Sequence, residues 1–179
     1  MMTPLRYRVR RRLVETPDTV TLVLDPVDEA IVAPLPGQFT MMYAFGVGEV
    51  PISVSGHVNG AIVHTIRDVG AVSGALTAAG EGEMLGIRGP YGTDWGVPAG
   101  GDLVVMAGGI GLAPLRPVIR QAVAQRSRYG RVAVLIGART PGDLLYPGEY
   151  DKWRAAGLDV RVTVPGAAAK VPAGEGERT

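Results

Sequence analysis

The 179-residue chain carries 18 Lys and Arg against 17 Asp and Glu, a formal charge of +1, which supplies no field for nucleic acid; a basic residue that matters must act at a site. It has no cysteine, which excludes disulfides, thiolate metal sites, iron–sulfur ligation and thiol nucleophiles within these residues, so redox chemistry here needs a bound organic cofactor. No run reaches the roughly 18 apolar residues of a membrane span and the N-terminus lacks the apolar segment of a secretory signal, making a cytoplasmic location the default expectation.

From Tyr7 to about Val97 short apolar runs alternate with turn signals. Segments 6–15, 19–25, 38–44, 52–56, 61–67 and 84–88 read as strands of an antiparallel barrel or sandwich. The arginines at 6, 8, 10, 11 and 12 read either as a basic targeting arm or as one side of an edge strand, and the interleaved Tyr7, Val9, Leu13 and Val14 favour the strand. Thr-Pro-Asp at 16–18, Pro-Gly at 36–37 and Asn-Gly at 59–60 supply the turn chemistry. One helical turn, 73–79, interrupts the series. The 26 glycines and 14 prolines suit many short strands better than a helical bundle.

At Pro98 the pattern changes to a strand at 103–107, a helix near 113–125, a strand at 132–137, a short helix around 149–156 and a strand at 158–164. This β-α-β-α-β order predicts a parallel sheet. In the first helix Leu115, Val118, Ile119, Ala122 and Val123 form one stripe, with Arg116, Arg120, Gln121 and Arg126 away from it, and Pro114 and Pro117 fall in or near the first turn. A doubly wound nucleotide domain continues for several more strands, so this one reads as partial. The expected units are 1–98, 99–164 and a disordered tail, 165–179.

Three segments carry candidate chemistry. In Val50-Pro-Ile-Ser-Val-Ser-Gly56, alternation sends Ser53 and Ser55 to one strand face, where a hydroxyl reads either as solvent-exposed or as a donor to a ring nitrogen of a planar ligand. Gly70-Ala-Val-Ser-Gly-Ala-Leu76 is a glycine-led helix start, read as a plain capped turn or as amides and a Ser73 hydroxyl around a pyrophosphate. Leu103-Val-Val-Met-Ala-Gly-Gly-Ile-Gly-Leu-Ala-Pro114 is a strand turning through glycines into a helix, the order of a dinucleotide-binding turn, with proline in the third glycine place. The acidic ribose ligand expected about 20 residues on is missing; Arg139 stands there, as a 2′-phosphate ligand or a solvated loop residue. The tight turn Gly89-Pro-Tyr-Gly92 either covers a ligand or closes the barrel. His57 and His64 lie near no acid or serine motif and read as structural.

In this order the chain resembles the ferredoxin–NADP reductase superfamily. The matching text is Pro36-Gly-Gln-Phe39, Pro51-Ile-Ser53, Gly70 through Leu76, Gly89-Pro-Tyr-Gly92, Ala107 through Pro114, and Gly137-Ala-Arg-Thr140 with Asp143-Leu-Leu-Tyr146. Gly48-Glu-Val-Pro-Ile-Ser-Val-Ser55 is most similar to flavin subunits of sulfhydrogenase-type nickel–iron hydrogenases and anaerobic sulfite reductase, with the electron-transfer subunit of dihydroorotate dehydrogenase a near relative.

The resemblance implies a flavin-binding antiparallel β-barrel followed by a partial NAD(P)-binding α/β domain. It implies FAD held by Pro51, Ile52 and Ser53, with Ser53 at flavin N5. His64, Thr65, Ile66 and Arg67, then Gly70, Ala71, Val72 and Ser73, would run along the flavin and its pyrophosphate. Gly108, Gly109, Ile110, Gly111 and Leu112 would hold the nicotinamide cofactor, with Arg139 nearby and no metal.

The implied activity is hydride transfer between NAD(P)H and FAD, with electrons passed to a partner redox subunit of iron–sulfur or hydrogenase type. The alternative is a catalytically incomplete flavin- or partner-binding subunit. Two departures stand out. Val50 occupies the place of a flavin-phosphate arginine, leaving Arg67, Arg88 or backbone amides to substitute, and the family's later Cys-Gly-Pro and iron–sulfur cysteines are absent.

Overall fold

A computed structural model describes residues 3–98 and 100–165. Strands β1 (Leu5–Thr16), β2 (Thr19–Pro26), β3 (Phe39–Ala44), β4 (Gly48–Val58), β5 (Ala61–Arg67) and β6 (Met84–Tyr91) close an antiparallel barrel in the order β1-β2-β5-β4-β3-β6. Period-two alternation builds it. Tyr7 and Val9 are fully buried while Arg6 and Arg10 point outward to Asp28 and Asp25, so the N-terminal arginines belong to a strand and not a free arm; the alternation breaks at a bulge between Val9 and Arg11, beyond which Arg12 stands opposite buried Leu22 and donates to the Thr77 carbonyl. Asn59 and Gly60 both take positive φ, which is the hairpin turn that Asn-Gly favours. Helix α1 (Ala71–Ala78) buries Leu76 in the barrel cluster beside Leu22, Met42 and Ile87.

Beyond it, β7 (Leu103–Gly108), β8 (Val132–Gly137) and β9 (Asp159–Thr163) form a parallel sheet in the order β7-β8-β9, with α2 (Leu112–Ala124) and α3 (Pro147–Ala155) as its connections. Val105, Val134, Ile136 and Val160 pack with Ile119 of α2 and Trp153 of α3 into a second core. The alternate residues of β7 are uncovered: Val104 is 65% and Met106 70% exposed. A parallel sheet ordinarily has both faces covered.

Several expectations need correction. β4 begins four residues earlier than 52 and β6 runs on to Tyr91, because both complete their pairing with β3. Arg116 is not on a solvated helix face: it is 7% exposed, wedged between α2 and α3. Pro117 is the sixth residue of α2 and lies inside the helix, so the Ala113 carbonyl lacks its usual partner. The tail expected to be disordered lies, from residue 166 on, outside the described residues. Among the described residues no helix is long and apolar enough to cross a membrane.

Candidate functional site

Val50, Ile52 and Val54 pack toward the barrel core, so Ser53 and Ser55 face outward, as alternation requires. On β5 the inward residues are Ile62, His64 and Ile66, leaving Thr65 and Arg67 on the same outer side. The α/β unit docks on this side. Tyr146, at the start of α3, donates its hydroxyl to Thr65 Oγ1 at 2.6 Å, and Thr65 Oγ1 also pairs with Ser55 Oγ at 3.0 Å and Thr21 Oγ1 at 2.8 Å. All of these are buried. Ser55 and Thr65 are therefore consumed by the junction, whereas the Ser53 hydroxyl has no protein partner among the described residues.

His64 lies inside the barrel, so its ring is not available to a ligand. Its Nδ1 donates to the Ser53 carbonyl at 3.0 Å, which makes Nε2 the acceptor for Thr40 Oγ1 at 3.1 Å. Burial, opposed by the bond to Ser53, pushes its pKa down to about 4, and the ring is neutral near pH 7. Ile66 is core. Of residues 64 to 67, only Arg67 presents a free side-chain end to the outer cleft; the others offer backbone alone.

Of the two readings of Ser73, a capped turn or a hydroxyl beside a pyrophosphate, the hydrogen bonds of its hydroxyl match the capped turn. Ser73 Oγ accepts from the Val69 amide and donates to the Gly70 carbonyl, both at 3.0 Å, closing the helix entry itself. What remains for an anion is the opening amides of α1, which have no partner within the helix. A Cβ built on Gly70 meets nothing, so the approach is open. Val50 packs against the barrel cluster, and Arg88, one of the two alternative arginines, is engaged by Glu49.

The glycine turn after β7 runs through a single 3₁₀ turn, Gly109–Gly111, into α2. Gly109 has φ +51, a left-handed conformation that suits glycine, and Cβ atoms built on Gly108 and Gly111 meet nothing. The turn opens on a cleft of about 700 Å³ lined by Arg67, Gly108, Gly109, Ile110, Arg139 and Asp143 among others. Arg67 crosses from the barrel: its Nη2 would lie 3.9 Å from a Gly109 Cβ, while its Nε sits 3.3 Å from Asp18. Leu112 is buried and anchors the helix start. Arg139 is largely exposed at the cleft wall, 3.8 Å from Asp143. An open glycine cradle with two arginines beside it fits a nucleotide's phosphates.

Sequence reasoning missed two features. Asp143 lines the cleft while accepting from the Thr140 amide at 3.1 Å, and the Thr140-x-x-Asp143 spacing of a capping box was the signal for it. Glu149 accepts from both Arg116 and Arg120, and Arg116 stacks 4.1 Å over the Tyr146 ring. Burial alone would raise Glu149, but the bonds from the two arginines outweigh it and hold its carboxyl below the usual range. Nothing local in the sequence announces this cluster.

A family model described as the oxidoreductase NAD-binding domain matches residues 105–178. The chain is 36% identical over 170 residues to a probable dihydroorotate dehydrogenase B (NAD(+)) electron transfer subunit of Methanocella arvoryzae, covering 94% of this chain and 60% of the relative. To sulfhydrogenase 1 subunit gamma of Pyrococcus furiosus it is 38% identical over 120 residues, 65% of this chain and 41% of the relative. It thus spans about half the length of the curated relatives it matches. The structure of an NADH-dependent reduced ferredoxin–NADP oxidoreductase superposes with a TM-score of 0.75 at 21% identity, over 90% of this chain and 57% of that one, a likeness of fold. Barrel, nucleotide turn and relatives agree: residues 105–178 match the oxidoreductase NAD-binding domain, and the chain is similar to these electron-transfer subunits and shares the fold of ferredoxin–NADP reductase-type proteins.

Proposed function

We propose that the chain is the flavin- and nicotinamide-binding part of an electron-transfer subunit, moving a hydride between NAD(P)H and a flavin and passing electrons to a partner redox protein in the cytoplasm. The flavin unit is 1–98 and the nucleotide unit 99–164. The observation that carries this reading is the docking of the glycine turn on the barrel side that bears Ser53 and Arg67, which gives both candidate sites one shared side of the molecule.

When bound, a flavin supplies hydride acceptance at N5 and release of electrons one at a time. The chain's residues do the positioning. Ser53 would offer its free hydroxyl to a ring nitrogen and the opening amides of α1 would face a phosphate, with exposed Pro51 and the backbone of inward-facing Ile52 on the strand between them. Gly108 to Leu112 receive the nicotinamide nucleotide, and Arg67 and Arg139 balance its negative charge. Transfer between stacked rings depends on alignment more than on an acid–base pair. Purified protein supplied with excess flavin should turn yellow and bleach anaerobically with NADH or NADPH; a chain that stays colourless sinks the proposal.

One observation favours a second reading, a flavin- or partner-binding module with no turnover of its own. The outer face of the parallel sheet is bare at Val104 and Met106. Flavin binding without reduction by either nicotinamide nucleotide would select this reading.

A further inference from the structure

Where β4 meets α2 there is a small cavity of about 180 Å³, walled by Pro34, Leu35, Pro36 and Pro117. It shares no lining residue with the cleft at the glycine turn. At ~30 Å³ per water molecule it has room for about six waters, too little for a nucleotide and enough for a short organic acid. The three prolines bring no amide hydrogen, so donors to a ligand come from side chains, and those at the cavity are His57 and Arg120.

Arg120 reaches over from α2 to β4, where a Cβ built on Gly56 would lie 3.4 Å from its Nη1. Its Nε and Nη2 donate to Glu149 at 3.4 and 2.8 Å, and Nη1 has no protein acceptor among the described residues. Glu149 also serves Arg116, whose buried Nη1 is likewise without a partner. No second carboxylate bonds either arginine among the described residues, so two guanidiniums share one countercharge and the group carries an excess positive charge. The exposed His57 ring makes no side-chain hydrogen bond among these residues either. An apolar pocket with two spare donors and surplus positive charge is complementary to a carboxylate on a hydrocarbon body.

We propose that this cavity is a binding site for a short apolar monocarboxylic acid, separate from the flavin and nicotinamide sites. Its occupant would bridge β4, which bears Ser53, and α2, which begins at the nucleotide turn. The full chain without cofactors would be titrated calorimetrically with benzoate, with benzamide as the uncharged counterpart and with inorganic phosphate as an anion lacking the hydrocarbon. Benzoate should bind once per chain, about tenfold or more tighter than either. Arg120→Gln should bring benzoate down to the level of benzamide. Glu149 keeps Arg116 as a partner in that variant, so the fold should hold, and unfolding midpoints check this. Leu35→Ala, at a half-exposed loop position, tests the apolar wall independently and should weaken benzoate by about threefold or more.

Benzoate should also slow hydrogen exchange in residues 54–57 and in α2, and leave the turn at 108–111 unchanged. Protection confined to that turn would put benzoate in the nucleotide cleft and overturn the proposal. So would benzamide or phosphate binding as tightly as benzoate, or an affinity unmoved by both Arg120→Gln and Leu35→Ala. Because neither cofactor enters the titration, these outcomes are independent of the flavin reading.

Discussion

The buried His64 imidazole donates to the main-chain carbonyl of Ser53 at 3.0 Å, so a core histidine holds the backbone of the residue whose hydroxyl faces the candidate flavin site. Thr40 fixes the other ring nitrogen, leaving the imidazole no freedom to turn.

Burial of this ring carries a pH signature. The unfolded histidine takes up a proton below about 6.5, whereas the buried ring resists until about 4. Across that window the unfolded state binds more protons, so stability falls as the pH drops. The loss amounts to at most about 3 kcal/mol. Urea midpoints of the native chain should decline through this range, and His64→Gln should flatten that part of the profile; an identical slope in the variant removes His64 as the cause.

Ser53→Ala removes a half-exposed hydroxyl with no protein partner, so stability should change little. Reduction of bound flavin by NADH or NADPH should slow by about tenfold or more, the worth of one well-placed hydrogen bond. Stopped-flow absorbance measures it, and an unchanged rate argues against a role at the reacting ring.

Gly109→Val places a branched side chain at φ +51, at a cost of about 1–2 kcal/mol, and fills the nucleotide cradle. Flavin binding should survive. The apparent KM for the nicotinamide nucleotide should rise steeply, and steady-state kinetics with an unchanged KM would show that the turn is not its site.

Glu149→Gln strips the countercharge from Arg116, which is almost fully buried. Stability should fall by about 3 kcal/mol, as it does when one partner of a buried pair is removed. Because the folded carboxyl lies below its ordinary value of 4.5, its contribution is present above that pH and disappears as the pH drops through the folded value. Denaturant titrations at neutral and acidic pH should show the variant deficit shrinking in acid.

Tyr146→Phe deletes the hydroxyl that bonds Thr65 across the junction of the two units. About 1 kcal/mol should be lost, with the Arg116 stack retained. Hydrogen exchange should quicken in β5 and α3; protection unchanged in both would mean the bond contributes nothing to docking.

Much of this was written locally. The alternation in β1 and β5, the Asn-Gly hairpin and the strand–glycine–helix order at 103–114 each depend on neighbours within a few residues, so the barrel, the parallel sheet and the nucleotide turn were all legible from the chain. The outward pairing of Ser53 with Ser55 was legible for the same reason.

Which of those groups remain free was not. Ser55 and Thr65 share a face with Ser53, yet they are tied to Tyr146, 81 residues on from Thr65. Ser73 closes its own turn, and Arg116, polar by helical phase, is buried by a glutamate 33 residues away. Periodicity tells a residue which face it occupies, because backbone geometry sets that face. What covers the face, and which hydroxyl or guanidinium is left for a ligand, depends on segments distant in sequence, and only their packing decided it.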